Sequence, residues 1–261
     1  MKKLAYSIGK GALAISFWIG VWFVIASIVD VELIVPTPLS VIRSLWTLVN
    51  TSDFWISTSF SFSRVATGVI LSLAIGCLTA FLTWRSKTVD TLLSPLLSII
   101  KATPVASFII IAWIWLDTSL LPIFISSLIV IPIITSNVKQ GFLSVDKELV
   151  EIARAYKLSF LKKLFKLYIP SVAPYFIAAC KASLGMAWKA SVAAEMIVLS
   201  KNSIGKEIYE SKLSLEAAPV FAWTIVIIVL SIVIEKAFMC LINRAARKTS
   251  LFPKGDAYAE N

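Results

Sequence analysis

The sequence predicts an all-α membrane protein of six transmembrane helices, and three observations carry that prediction. Hydrophobic residues make up 58% of the 261 positions and mean hydropathy is +0.87, above the roughly 45–50% apolar share of a soluble domain. Charge is absent, or nearly so, from long runs close to the ~20 residues that a helix needs to cross a bilayer core. Lys and Arg are concentrated in alternate connecting segments. A spanning backbone must satisfy its own hydrogen bonds, so the spans are helices.

The spans fall at about 11–29, 65–84, 91–116, 118–138, 170–199 and 217–241, in one domain covering 1–261, with a long polar loop at 139–169. The first run follows Met1-Lys2-Lys3 and exceeds the ~7–15 residue core of a signal peptide. A retained first span is expected, with a signal peptide as the alternative. After it, "VPTPLSVIRSLWTLV" offers Thr37 as a helix cap and Pro38 as first helical residue. This helix is expected along the outer surface, with Trp46 at the interface. In the second span Gly68, Ser72, Gly76 and Ala80 recur every four residues, a spacing that lets helices approach closely. The third span holds Pro95, Lys101 and Pro104, with a kink expected at Pro104. The fourth holds Pro122 and Pro132, so bent or broken helices are expected there too. Such bends fit a transport pathway, and they also fit the general abundance of Pro in membrane helices. Pro170 is expected to open the fifth span.

The net charge of +10 follows from topology. With a cytoplasmic N-terminus, inside segments hold 17 Lys and Arg residues, from Lys2 to Lys254, and outside segments hold 4 (Arg43, Lys201, Lys206 and Lys212). Both termini are therefore expected in the cytoplasm, and no nucleic-acid partner is needed to explain the charge. Arg64, Lys101, Lys181 and Lys189 lie in or at the membrane. There is no histidine, and Cys77, Cys180 and Cys240 have unrelated spacings, so no metal site or disulfide framework is expected.

The loop is the most polar long stretch. Asp146 can cap a helix that carries Glu148 in its first turn. Leu149, Ile152, Ala153 and Tyr156 form one apolar stripe, and Leu161, Leu164, Phe165 and Tyr168 form a second after a break at Lys157–Ser159. Two short amphipathic helices joined by a turn are expected, with Glu151 reading as buried. An interfacial pair held to anionic membrane lipid is one explanation; a docking surface for another protein is the other.

"EIARAYKLSFLKKLFKLYIP" resembles the cytoplasmic EAA loop of ABC importer permeases. Glu151, Ile152 and Ala153 occupy the Glu-Ala-Ala places, Lys157 the glycine place, and Leu167, Tyr168, Ile169 and Pro170 the closing segment. Ile152 for alanine and Lys157 for glycine are departures. A lysine at positive φ costs on the order of 1 kcal/mol, so the turn is expected to be more open or to use Ser159. "VPTPLSVIRSL", "SPLLSIIKATPVASFIIIAWIW" and "LGMAWKASVAAEMI" are similar to segments of the nitrate/sulfonate/taurine branch, and the likeness runs from about 35 to 245.

The resemblance implies the type I ABC importer permease fold in the cytoplasmic membrane. It implies a pathway formed by two permease copies, two ATPase subunits docked on the cytoplasmic loops, and an external substrate-binding protein. Glu151 and Ala153 would enter the ATPase groove, with Phe160, Leu161 and Leu164 in the interface. The chain has no Gly-x4-Gly-Lys-Ser/Thr run, so ATP and Mg are expected on the partner and no enzyme activity or cofactor on this chain. Relatives of that branch carry nitrate, sulfonates, taurine or vitamin precursors.

Ions within spans are expensive, ~2.5–3.5 kcal/mol each on insertion scales, and are usually functional or paired. Lys181, Trp188 and Glu195 recur every seven residues on the fifth span, but Lys181 and Glu195 are about 21 Å apart along the axis and cannot pair directly. Lys101, Pro104, Trp188, Lys189 and Glu195 are the candidate pathway residues, with Lys101 and Lys189 offering positive potential to an anionic cargo. The alternative is that the lysines pair elsewhere or snorkel. A proton-coupled secondary transporter is the rival function; it would rest on Glu195 as its one clear membrane carboxylate.

Overall fold

The computed structural model describes residues 2–248, and the regular structure of those residues is helical. Lys254 and the side chains of Lys2, Lys3, Lys10, Arg247 and Lys248, all counted in the charge asymmetry, lie outside the described part. The order is α1 (Lys2–Val29), α2 (Pro38–Val49), α3 (Ser52–Arg85), α4 (Lys87–Ala102), α5 (Val105–Trp113), α6 (Leu121–Leu143), α7 (Lys147–Ala155), α8 (Phe160–Lys163), a π turn (Leu164–Tyr168), α9 (Ile169–Val198), α10 (Ile204–Leu213) and α11 (Ala217–Lys248).

Among the described residues, four helices are long and apolar enough to cross a membrane: Ser52–Arg85, Leu121–Leu143, Phe160–Val198 and Ala217–Leu241. The pair α4 and α5 makes a fifth candidate if counted as one broken span, and the apolar stretch Leu13–Val29 of α1 is shorter. By length and composition, four to five of the six expected spans stand out among the described residues. The second begins well before residue 65, because Thr51 caps α3 by accepting from Phe54 N.

Helix α6 is the centre of the bundle, packed between α3 and α9. The small-residue face of α3 explains the closeness of the first contact. Gly68, Ser72, Gly76 and Ala80 are all buried, and a Cβ on Gly68 would lie 2.0 Å from Ser126 Oγ, while one on Gly76 would lie 2.9 Å from the Ile134 side chain. At this range hydroxyls reach across: Ser127 Oγ donates to Gly68 O at 3.1 Å and Thr135 Oγ1 to Gly76 O at 3.3 Å. In lipid, such interhelical hydrogen bonds and close packing replace the hydrophobic drive.

The prolines divide by context. Thr103 is extended (φ −83, ψ 134), as a residue before proline prefers, and the chain turns by 104° between α4 and α5 at Thr103–Pro104. The kink at Pro104 is therefore a full break. Pro122 and Pro132 break nothing: the first sits in the first turn of α6, where its missing N–H has no partner to lose, and α6 runs on through the second. Helix α2 forms with the expected start, Thr37 accepting from Ser40 N at 3.2 Å and Pro38 as its first residue, and Trp46 is 74% exposed.

Candidate functional site

The site begins with the loop between α6 and α9. Asp146 accepts from Glu148 N at 2.8 Å and starts α7. The helix ends in a turn closed by two backbone bonds, Lys157 N to Arg154 O at 2.9 Å and Leu158 N to Ala153 O at 3.1 Å. A bond from the second residue past the cap to the carbonyl five residues before it is the Schellman arrangement, which requires a left-handed residue between. That residue is Lys157, at φ 50. The expectation of an open turn, or of a bend at Ser159, is overturned. Ser159 is extended and caps α8 instead, accepting from Lys162 N at 3.5 Å.

The second amphipathic segment is not a separate helix. α8, the π turn and α9 form one helical run from Phe160 to Val198, so Pro170 does not open the fifth span. Proline has no N–H to give the carbonyl of Lys166, and the ladder widens just before it, with Ile169 N bonding Leu164 O. A π turn of this kind absorbs the lost bond without ending the helix.

The turn divides the apolar residues into two sets. Ala153 is 6% exposed, so its methyl faces the interior of the chain and no groove outside it. Leu164 and Tyr168 pack against the main core, so Leu164 is an anchor within the chain. Tyr168 joins an aromatic cluster with Trp84, which stands 4.8 Å from it and 4.6 Å from Phe142. Phe81 reaches Phe160 at 6.5 Å. The loop is thereby fastened to α3 and α6. Leu149, Ile152, Tyr156, Leu161 and Phe165 face away, between 49% and 78% exposed, and Phe160 keeps 48% exposure beside its contact with Phe81. Glu151 is exposed, not buried, and makes no ion pair among the described residues.

The embedded ions separate just as clearly. Glu195 is fully buried and lines no open path. Its carboxylate accepts from Arg64 Nη1 at 3.1 Å, Ser61 Oγ at 2.7 Å and Gly205 N at 3.5 Å. Arg64 also donates to Lys201 O at 2.7 Å and Asn202 O at 3.4 Å, in a turn where Leu199 and Asn202 both have positive φ. Gly205 is required here, since a Cβ would lie 2.4 Å from Met196 N. Trp188 is 1% exposed and donates to Ile227 O at 3.1 Å, so it too is a packing residue. Arg64 was visible in the sequence only as one more membrane cation; that it and Glu195 are the scarce opposite charges of two long spans is the signal that pairs them.

Lys101 is exposed on α4 and donates to Ser136 Oγ at 3.1 Å. Pro104 is exposed in the break. Lys181 and Lys189 are exposed on α9 with no acid partner among the described residues, and Gly185 stands between them at four-residue intervals on the same face. Among the described residues no group of three or more His, Cys, Asp or Glu side chains could hold a metal.

Residues 72–247 match the family described as "binding-protein-dependent transport system inner membrane component". The chain is 26% identical over 92% of its length to the putative aliphatic sulfonates transport permease SsuC of Bacillus subtilis, covering 87% of that protein. It is 26% identical over 71% of its length to the nitrate import permease NrtB of Synechococcus elongatus, covering 70% of it. It is 29% identical over 60% of its length to the bicarbonate transport permease CmpB of Synechocystis, covering 56% of it. In three dimensions it resembles a chain of a bacterial alginate ABC transporter solved with its periplasmic protein, with TM-score 0.59, 15% identity, and coverage of 95% of this chain and 96% of that one. An amino acid ABC transporter gives TM-score 0.56 at 15% identity, over 80% of this chain and 97% of that one.

Proposed function

The chain belongs to the family of binding-protein-dependent transport system inner membrane components, and from that premise we propose how its parts serve import. It is the multi-pass inner-membrane permease subunit of an ABC importer, works with an ATPase and a periplasmic binding protein, and does not itself bind ATP. In our reading it has six spans with both termini cytoplasmic, and a second copy of the chain completes the pathway.

The observation that carries the reading is the loop. Six large apolar side chains stand exposed on α7, the turn that follows it, α8 and the π turn, on a support held by the aromatic cluster. Exposed apolar groups rimmed by charge mark a docking surface. The ATPase seats on Leu149, Ile152, Tyr156, Phe160 and Leu161, with Glu151 at the rim and Lys157 setting the angle between the two helices. Because α8 continues into α9, a push on the loop moves a span that carries Lys181 and Lys189. Leu164 and Pro170 act within this support.

The cargo is a small anion. Lys101 and Lys189 are exposed and without acid partners among the described residues, as a positive path requires, and the named relatives carry sulfonate, nitrate and bicarbonate in their descriptions. Affinity purification of the tagged chain from its own membranes tests the docking surface. The ATPase accompanies the unaltered chain, and Ile152→Glu with Leu161→Glu releases it while leaving the chain folded. Retention of the ATPase by that double variant contradicts the assignment.

A further inference from the structure

The helices share burial unequally. α3, α6 and α9 supply most of the main core, whereas α4 has no buried residue and shows Leu92, Leu96 and Ile99 at 70%, 53% and 59% exposure. Both of its ends are bends. A single extended residue, Ser86 (φ −134, ψ 117), joins it to α3, and the 104° break at Thr103–Pro104 joins it to α5. Beyond that break α5 is anchored again, with Ile109 and Ala112 in a second core cluster beside Leu121, Ile125 and Ala194.

Across to α6, α4 is held by polar contacts. Lys101 donates to Ser136, and Lys139 forms an ion pair with Asp90, whose Oδ1 also accepts from Ser94 Oγ at 2.9 Å. Asp90 lies one turn beyond the Ser86 bend, so this pair fixes the angle at which α4 leaves it. Lys139 lies at the root of the cytoplasmic loop. Two residues on, a Cβ at Gly141 would lie 3.0 Å from Val172 Cα, so α6 and α9, the helices that lead into and out of the loop, are pressed together there. Lys139 therefore reports the position of the loop root, and Asp90 receives it on a helix with a bend at each end. A partly exposed pair, its side chains 26% and 33% accessible, adds little to folding, but it can break and re-form, which buried packing cannot do without loss of the core.

We propose that the Asp90–Lys139 ion pair hands displacement of the 139–169 loop to α4, making both side chains positioning residues for transport and not for assembly. This rests on the reading of that loop as the ATPase's seat. The test uses the full complex in nanodiscs with a bimane fluorophore on Leu92→Cys, or on Leu143→Cys at the loop root, after replacing Cys77, Cys180 and Cys240. The readout is the emission change on adding ATP with orthovanadate. With the pair intact, both sites respond. Asp90→Asn or Lys139→Gln reduces the Leu92 response about fivefold, the factor governed by a partly exposed pair of ~1 kcal/mol, and leaves the Leu143 response and ATPase retention unchanged. The exchange Asp90→Lys with Lys139→Asp restores it. A Leu92 response within twofold of the original in the single variants overturns the proposal. So does equal loss at both sites, or a loss that the exchange does not reverse. A Leu143 site that never responds in the unaltered pair instead removes the loop assignment beneath it.

Discussion

Arg64 and Glu195 form a 3.1 Å ion pair between helices 131 residues apart in sequence, with the carboxylate fully buried. Each ion offsets the other's desolvation, and the remaining lone pairs and protons are taken by Ser61, Gly205 and the carbonyls of Lys201 and Asn202. The pair thus knits α3, α9 and the start of α10 together. Removing one partner leaves a buried charge alone, at ~3–5 kcal/mol. Glu195→Ala lowers the thermal midpoint of the purified permease more than the double variant Glu195→Leu with Arg64→Met. A double variant that is no better than the single one contradicts this view of the pair.

Lys157 occupies a left-handed position that glycine takes without strain. Lys157→Gly is expected to stabilise the loop by roughly 0.5–1 kcal/mol and to leave ATPase retention intact. Lys157→Pro, which fixes φ near −65°, opens the turn and releases the ATPase. Quantitative co-purification separates the two outcomes; equal behaviour of both variants refutes the hinge.

The sequence made the hinge and the packing face legible, and the reasons are local. Glycine's place in the loop pattern was occupied by another residue, so the turn's existence could be read while its geometry could not: whether a lysine accepts positive φ depends on the Schellman bonds around it. Gly68, Ser72, Gly76 and Ala80 announced a close contact through spacing alone, though not that α6 was the partner. The errors concern tertiary choices. Trp188 and Glu195 share a helical face with Lys181 in sequence, yet two turn inward and one outward, because Arg64 and Ile227 O supply partners that no local pattern encodes. Pro170 looked like a start because proline opens helices, and the π turn that lets the helix pass through it is invisible at the level of residue type.

Glu207 on α10 provides a pH test outside the spans. Burial raises its carboxyl above the usual range, partly opposed by the hydrogen bond from Ser57 at 3.1 Å. The folded state then holds a proton that the unfolded chain releases, so stability from this group is present at low pH and is lost as pH rises through the raised value. Glu207→Gln keeps an acceptor for Ser57. It is expected to raise the thermal midpoint at pH 7.5 by roughly 1–3 °C and to change nothing near pH 4. A benefit confined to the acid side contradicts the direction of the shift.

Lys101 and Lys189 carry the anion argument. Lys101→Ala and Lys189→Ala should each lower uptake of an anionic cargo about tenfold, with weaker losses at low ionic strength than at high excluded by the same electrostatics. Counterflow or radiolabel uptake in proteoliposomes, beside matched assembly and ATPase rates, measures it. Unchanged uptake with an intact complex removes these two side chains from the pathway.

Reconstituted uptake with and without ATP tests the central claim most directly. Proteoliposomes holding the chain, its ATPase and its binding protein should accumulate cargo only when ATP is present on the ATPase side, and Ile152→Glu with Leu161→Glu should abolish accumulation while the chain remains folded in the bilayer. Accumulation by the chain alone under an ion gradient, or full ATP-driven uptake by the loop variant, would contradict it.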